Sequence, residues 1–88
     1  MDGRMSMNSD TVEAQVRQVA ADIFNLPLSQ VTRETSPESV ENWDSMQHLN
    51  FVLAIEAAFK LQLEPEEVEK IRTVGAAIDL VRAKTASM

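Results

Sequence analysis

Residues 43–59 read WDSMQHLNFVLAIEAAF, from Trp43 to Phe59, and this stretch decides the fold. Asp44 is a helix-capping residue whose carboxylate accepts a first-turn amide, so a helix is expected to begin at Ser45. At about 100° per residue, Met46, Leu49, Val52, Leu53, Ile55 and Phe59 occupy roughly one half of the wheel. Gln47, Asn50, Ala54, Ala57 and Ala58 take the other half. On this wheel Phe51 sits at the edge of the apolar half, where it either widens the core stripe or meets a partner together with Met46. Glu56 points into the apolar half. It either hydrogen-bonds the connection 25–43 or a neighbouring helix, or it is exposed at the edge.

Upstream of this segment, Val12, Val16, Val19 and Ile23 are spaced four, three and four apart, one stripe of a helix from about Thr11 to Phe24. Ser9 or Asp10 is placed to cap it, and Asp10 with Glu13 has capping-box spacing. Asn25 and Pro27 end it, because proline disfavours helical geometry in the preceding residue. The connection 25–43 is punctuated by Ser29, Thr32, Thr35, Ser36 and Pro37, while Leu28, Val31 and Val40 are placed to pin it to a core. A connection of this length in a small domain is functional or disordered, and the three apolar pegs favour order.

Downstream, Pro65 suits the first position of a short helix running to about Lys70. Thr73 caps a last helix to about Ala83, striped by Val74, Ala77, Ile78 and Val81. No stretch alternates as a strand does. The expected fold is all-α: a small bundle of three longer helices and one short third helix. Residues 1–9 read as an N-terminal tail, 10–84 as the domain and 85–88 as a C-terminal tail.

The 88-residue chain suffices for one domain. Folding at this size buries about 60–65% of the unfolded surface, which leaves little depth for an enzyme pocket. With no cysteine, disulfides, thiolate metal sites and a cysteine nucleophile are excluded. The longest apolar run, Phe51–Ile55, is too short to span a membrane, and the polar opening lacks the apolar stretch of a signal peptide. A cytoplasmic monomer is expected.

Charge is unevenly spread. Residues 34–69 hold nine acids (Glu34, Glu38, Glu41, Asp44, Glu56, Glu64, Glu66, Glu67 and Glu69) against Lys60 alone, whereas residues 70–88 carry a net charge of +3. Such a centre repels nucleic acid and either draws basic protein surfaces or simply keeps the fold solvated.

Few chemistries survive inspection. His48 is the only histidine, so a histidine-based metal cluster is excluded. Ser45, His48 and Asp44 supply the residue types of a triad, but Asp44 as a cap faces backbone amides and no other helix offers an orienting carboxylate. Glycine occurs only at Gly3 and Gly75, so there is no phosphate-cradling loop. The acids of 64–69 lack calcium-loop spacing. No catalytic residue and no metal ligand is assigned.

Asp44-Ser45-Met46 resembles the Asp-Ser-Leu motif of acyl and peptidyl carrier proteins, with methionine in place of leucine. Leu49, Val52, Leu53, Ile55, Glu56 and Phe59 are similar to that family's second helix. Glu67, Ile71, Thr73-Val74, Ala77-Ile78-Asp79 and Val81 are similar to its third and fourth. The resemblance covers about residues 10–84. It implies a non-enzymatic carrier whose Ser45 is esterified with phosphopantetheine from coenzyme A by a magnesium-dependent phosphopantetheinyl transferase, Asp44 and Met46 flanking the site. It also implies acyl-loading, acyl-transferring or condensing enzymes as partners, in fatty-acid or polyketide biosynthesis.

Taken by residue type alone, Ser45 is an ordinary first-turn residue and Met46 a core residue, while Trp43 either packs as a cover for the loop or touches partners at the mouth of the bundle. A hydroxyl at a helix start nevertheless places an attached phosphate beside unpaired amides and the positive end of the helix dipole. Asn50 and Ala57 stand where the carriers of bacterial fatty-acid synthesis bear acids, and this resembles carriers of specialised or secondary-metabolite pathways. Alternatives are a peptidyl (aminoacyl) carrier, an unmodified helical docking domain and, last, a hydrolase built on Ser45 and His48.

Overall fold

The computed structural model describes residues 9–41 and 43–86. Among the described residues there are four α-helices and no strand: α1 (Ser9–Phe24), α2 (Ser45–Phe59), α3 (Pro65–Lys70) and α4 (Val74–Ala86), with one 3-10 turn at Leu28–Gln30. The expected all-α architecture of three longer helices and one short one is what forms. α1 packs against both α2 and α4.

α1 buries Val16, Ala20, Ala21 and Phe24, with Val12, Val19 and Ile23 packed beside them. The helix already includes Ser9, which the expected tail over residues 1–9 had taken in, and Asp10; the capping role of these two and the rest of that tail, residues 1–8, lie outside what is described. At its other end Asn25 turns left-handed (φ 58°) and the Leu26 amide donates to the Ala21 carbonyl at 2.9 Å. α2 stops the same way: Lys60 adopts φ 55° and the Leu61 amide reaches the Glu56 carbonyl at 3.1 Å. Both helices thus close with the six-to-one bond that usually recruits glycine, here made without it.

The phase of α2 differs from the wheel read from sequence. Phe51, Val52 and Ile55 are buried, and Phe59 is only half-buried. Met46 (71% exposed), Leu49 (57%) and Leu53 (60%) face solvent. The helix is apolar nearly all round, so periodicity does not choose between its two stripes. Phe51 chooses: its ring lies 5.4 Å from that of Phe24 and 5.5 Å edge-on to Trp43, while Phe24 and Trp43 stack at 4.4 Å. Burying a phenylalanine among aromatic rings outweighs burying a leucine at the opposite stripe.

The described residues of the long connection are held against the bundle, as its pegs implied. Val31 and Val40 are buried, whereas Leu28 is 42% exposed, its carbonyl rather than its side chain being held. Arg17 of α1 donates from Nε to the Val31 carbonyl (2.9 Å) and from Nη2 to the Leu28 carbonyl (3.1 Å). Further along, the Thr35 and Arg33 carbonyls accept the Val74 and Gly75 amides, both at 2.9 Å. The connection thereby satisfies the orphan amides that open α4. A Cβ at Gly75 would lie 3.0 Å from the Arg33 oxygen and 3.1 Å from the Arg33 Cβ, so a larger residue would push the connection back by a few tenths of an ångström.

Thr73 caps α4 as expected, its Oγ1 accepting the Ala76 amide at 3.0 Å. The helix runs beyond the expected end near Ala83 to Ala86, with the Thr85 hydroxyl donating back to the Val81 carbonyl at 2.9 Å. Glu56 makes a specific bond, but its partner is neither the connection 25–43 nor another helix: Oε2 accepts the Leu63 amide at 2.8 Å and fixes the turn into α3.

Glu67 reaches back to the Glu64 amide (2.7 Å) and pairs with Lys84 of α4 (3.0 Å), joining α3 to the bundle. The amide bond first, then Lys84, hold its carboxyl below its ordinary pKa of 4.5. A carboxyl lowered in the folded state stabilises above its unfolded pKa, and that contribution is lost as pH falls through the folded value. Glu67→Gln should therefore lower the urea midpoint at neutral pH and flatten its decline between about pH 5 and pH 3.

The corrected phase of α2 gives a second test. Phe51→Ala should destabilise by about 3–5 kcal/mol, whereas Leu53→Ala on the exposed stripe should change stability by no more than about 0.5 kcal/mol. Urea denaturation followed by circular dichroism distinguishes them, and equal losses would show that the stripe assignment is wrong.

Candidate functional site

α2 opens at the end of the long connection, and Asp44 sets that opening. Its Oδ1 accepts the Gln47 amide at 2.9 Å, and its carbonyl accepts the His48 amide at 2.8 Å, the first bond of the helix. Gln47 in turn donates from Nε2 to the Ile23 carbonyl at 2.8 Å, tying this end of α2 to the end of α1. Ser45, first residue of the helix, is exposed. Its amide and that of Met46 have no carbonyl one turn back within the helix, so the positive end of the helix dipole lies at the Ser45 hydroxyl.

Beneath the opening, Trp43 is 5% exposed and donates from Nε1 to Nδ1 of His48 at 3.0 Å. An Nδ1 that accepts leaves the ring proton on Nε2, and Nε2 faces the Val68 carbonyl of α3 at 3.2 Å. These partners assign the tautomer and give His48 its place: it joins the connection, α2 and α3. The two rings lie 6.0 Å apart at 24°. With both imidazole nitrogens engaged and Asp44 occupied as a cap, Ser45, His48 and Asp44 do not form a triad, and the hydrolase reading falls.

An open groove of about 620 Å³ adjoins Ser45, lined by Pro37, Trp43, Asp44, Ser45, His48 and Leu49. Of the residues singled out in the sequence, Ser45 and Asp44 share this groove, while Met46 is turned to solvent and does not line it. Leu49 was assigned to the core and Pro37 to loop punctuation. The spacing of His48 and Leu49, three and four residues beyond Ser45, was the signal for their sharing its side of the helix. Nothing in the sequence places Pro37 there.

A family described as "Phosphopantetheine attachment site" matches residues 14–81. The acyl carrier protein from Enterococcus faecalis is 32% identical, with a TM-score of 0.70 over 88% of this chain and 98% of that one. The holo acyl carrier protein from Geobacter metallireducens is 29% identical, with a TM-score of 0.77 over 86% and 87%. This chain belongs to the phosphopantetheine-binding acyl carrier protein family. A protein from Anaplasma phagocytophilum described as a putative acyl carrier protein, 22% identical with a TM-score of 0.76 over 93% and 97%, shares the fold.

Membership of the acyl carrier family means a non-catalytic protein with a covalently attached phosphopantetheine group. Such carriers interact with a phosphopantetheinyl transferase and with acyl-handling enzymes. The opening of α2 fits the group: an exposed hydroxyl, first-turn amides and dipole for a phosphate, and an adjoining groove with apolar walls. Among the described residues no helix is long and apolar enough to cross a membrane.

The bond from Trp43 to His48 generates a test of the site's framework. His48→Ala leaves the indole N–H without its acceptor and the Val68 carbonyl with the Ile71 amide as its remaining donor. It should cost about 1–3 kcal/mol in urea denaturation and speed hydrogen exchange at the Trp43 indole, measured by NMR.

Proposed function

We propose that Ser45 carries the phosphopantetheine, and that the protein shuttles acyl groups as thioesters in a specialised or secondary-metabolite pathway of the cytoplasm. The observation that supports the attachment point is the conjunction at one residue of an exposed hydroxyl, a capped helix start and a groove wall. The Ser45 hydroxyl attacks the pantetheine-side phosphorus of coenzyme A, gives up its proton and forms a phosphodiester as adenosine 3′,5′-bisphosphate leaves, and the thiol of the transferred group supplies the thioester chemistry that a chain without cysteine lacks. Asp44 does its part through the backbone, holding the first turn in place. The carrier domain expected over residues 10–84 is taken one residue further at its start and two at its end, because α1 includes Ser9 and α4 includes Thr85 and Ala86.

The character of α2 supports the pathway reading. Its exposed face carries Met46, Leu49 and Leu53 beside Asn50 and Ala57, so the surface next to Ser45 is apolar and nearly uncharged. Partner enzymes meet this stripe. Phe51, buried under the helix, has no part in it. The exposed acids Glu66 and Glu69 of α3 lie to one side and act on encounter rate.

Ser45→Ala should retain the fold, because Asp44 still supplies the cap and alanine favours the helix. Incubated with coenzyme A, magnesium and a broad-specificity transferase, the parent should gain the mass of one phosphopantetheine and the variant none. An alanine variant that still gains this mass would overturn the assignment to Ser45.

A further inference from the structure

The mouth of the bundle beside Ser45 is closed. Phe24 and Phe51 are fully buried and Trp43 nearly so, and their rings meet at 4.4 to 5.5 Å directly behind the α2 opening. Trp43 is locked further by its bond to His48, and His48 by the Val68 carbonyl. An arm entering between the helices here would have to part a close-packed aromatic cluster and break that relay. It would also bring two secondary amides into an apolar interior, where each unmade hydrogen bond is costly.

On the outer side of the same wall lies the groove of about 620 Å³, with Ser45 on its rim and Leu49 and Pro37 exposed along it. A second cavity of about 540 Å³ shares Pro37 and His48 with it and extends towards Ile71 and Thr73. Both volumes fall in the range of small-molecule sites. An open groove of this composition suits pantetheine, with apolar faces for the dimethyl segment and water along the open side for the hydroxyl and amides.

We infer that the pantetheine arm lies back along this outer groove against Trp43, His48, Leu49 and Pro37, and that acyl cargo is carried outside the core. The inference rests on attachment at Ser45. The aromatic wall makes the protein a carrier that presents its cargo rather than enclosing it. His48 contributes as a positioning residue, by holding the Trp43 ring as the groove floor.

The test uses isotope-labelled protein bearing an unlabelled arm, first without cargo and then with an octanoyl thioester, each species verified by intact mass. Filtered NOE spectra should show contacts from the dimethyl protons to Leu49, Trp43 and Pro37, with Val52 and Ile55 unperturbed when the octanoyl group is added. Pro37→Asp, at an exposed position of the connection away from the α2 stripe that partner enzymes meet, should abolish the dimethyl contacts to Trp43 while the mass gain persists. Contacts from the arm or the octanoyl chain to Val52 or Ile55 would place them in the core and overturn the inference. Absence of any arm contact in the modified parent would overturn it equally, leaving attachment at Ser45 intact. A parent that gains no mass would overturn the attachment itself, and the groove assignment with it.

Discussion

The stacking of Trp43 on Phe24, with the edge of Phe51 completing the cluster, joins three parts of the chain that are far apart in sequence. Phe24 closes α1, Trp43 ends the long connection and Phe51 lies in the second turn of α2. Large flat side chains bury more apolar area per residue than any others, and in a chain with only three phenylalanines and one tryptophan they leave few ways to assemble. The rotation of α2, the place where the connection ends and the closure of the bundle mouth all depend on this contact. His48 extends it to α3, because the proton position that satisfies Trp43 also satisfies Val68.

The connection behaves as a structural element although it has little regular structure. Its carbonyls are held by Arg17 on one side and serve as acceptors for the first amides of α4 on the other. Buried backbone groups need partners, and a segment that both receives and supplies them is ordered without being a helix. The ion pair from Arg33 Nη2 to both carboxylate oxygens of Asp79, each contact 3.0 Å, adds a surface tie at the same corner. It is exposed, so its effect on stability is small beside that of the backbone bonds.

Core and site are thereby separated. The residues that hold the bundle together form a wall, and those proposed to meet the arm and partner enzymes lie on its outer side or along the free stripe of α2. A carrier that must be recognised in turn by several enzymes needs an exposed handle on a rigid support, and a helix start capped by Asp44 and braced by Gln47 provides one. The free stripe is apolar, so contact specificity there comes from shape and burial more than from charge.

Much of this was legible in the sequence because the physics involved is local. Asp44 before Ser45, Thr73 before α4, Pro65 at the head of α3 and Asn25 after α1 are capping and stopping signals that act within a turn, and each operates as read. The candidate site was legible to the same extent: Asp44 and Ser45 stand together at the helix start. The last three residues of α4, 84–86, were missed because a hydroxyl bonding back to the previous turn leaves no mark in a hydrophobic pattern. Two further features belonged to the tertiary structure alone. The phase of α2 could not be taken from periodicity, since Met46, Leu49 and Leu53 make as regular a stripe as Phe51, Val52 and Ile55, and only the aromatic partners on α1 and the connection choose between them. The groove beside Ser45 likewise requires Pro37, brought there by a connection whose path is set by hydrogen bonds to distant helices. Local rules place helix ends; which face is buried, and what lies beside the site, depends on partners that the chain meets only once folded.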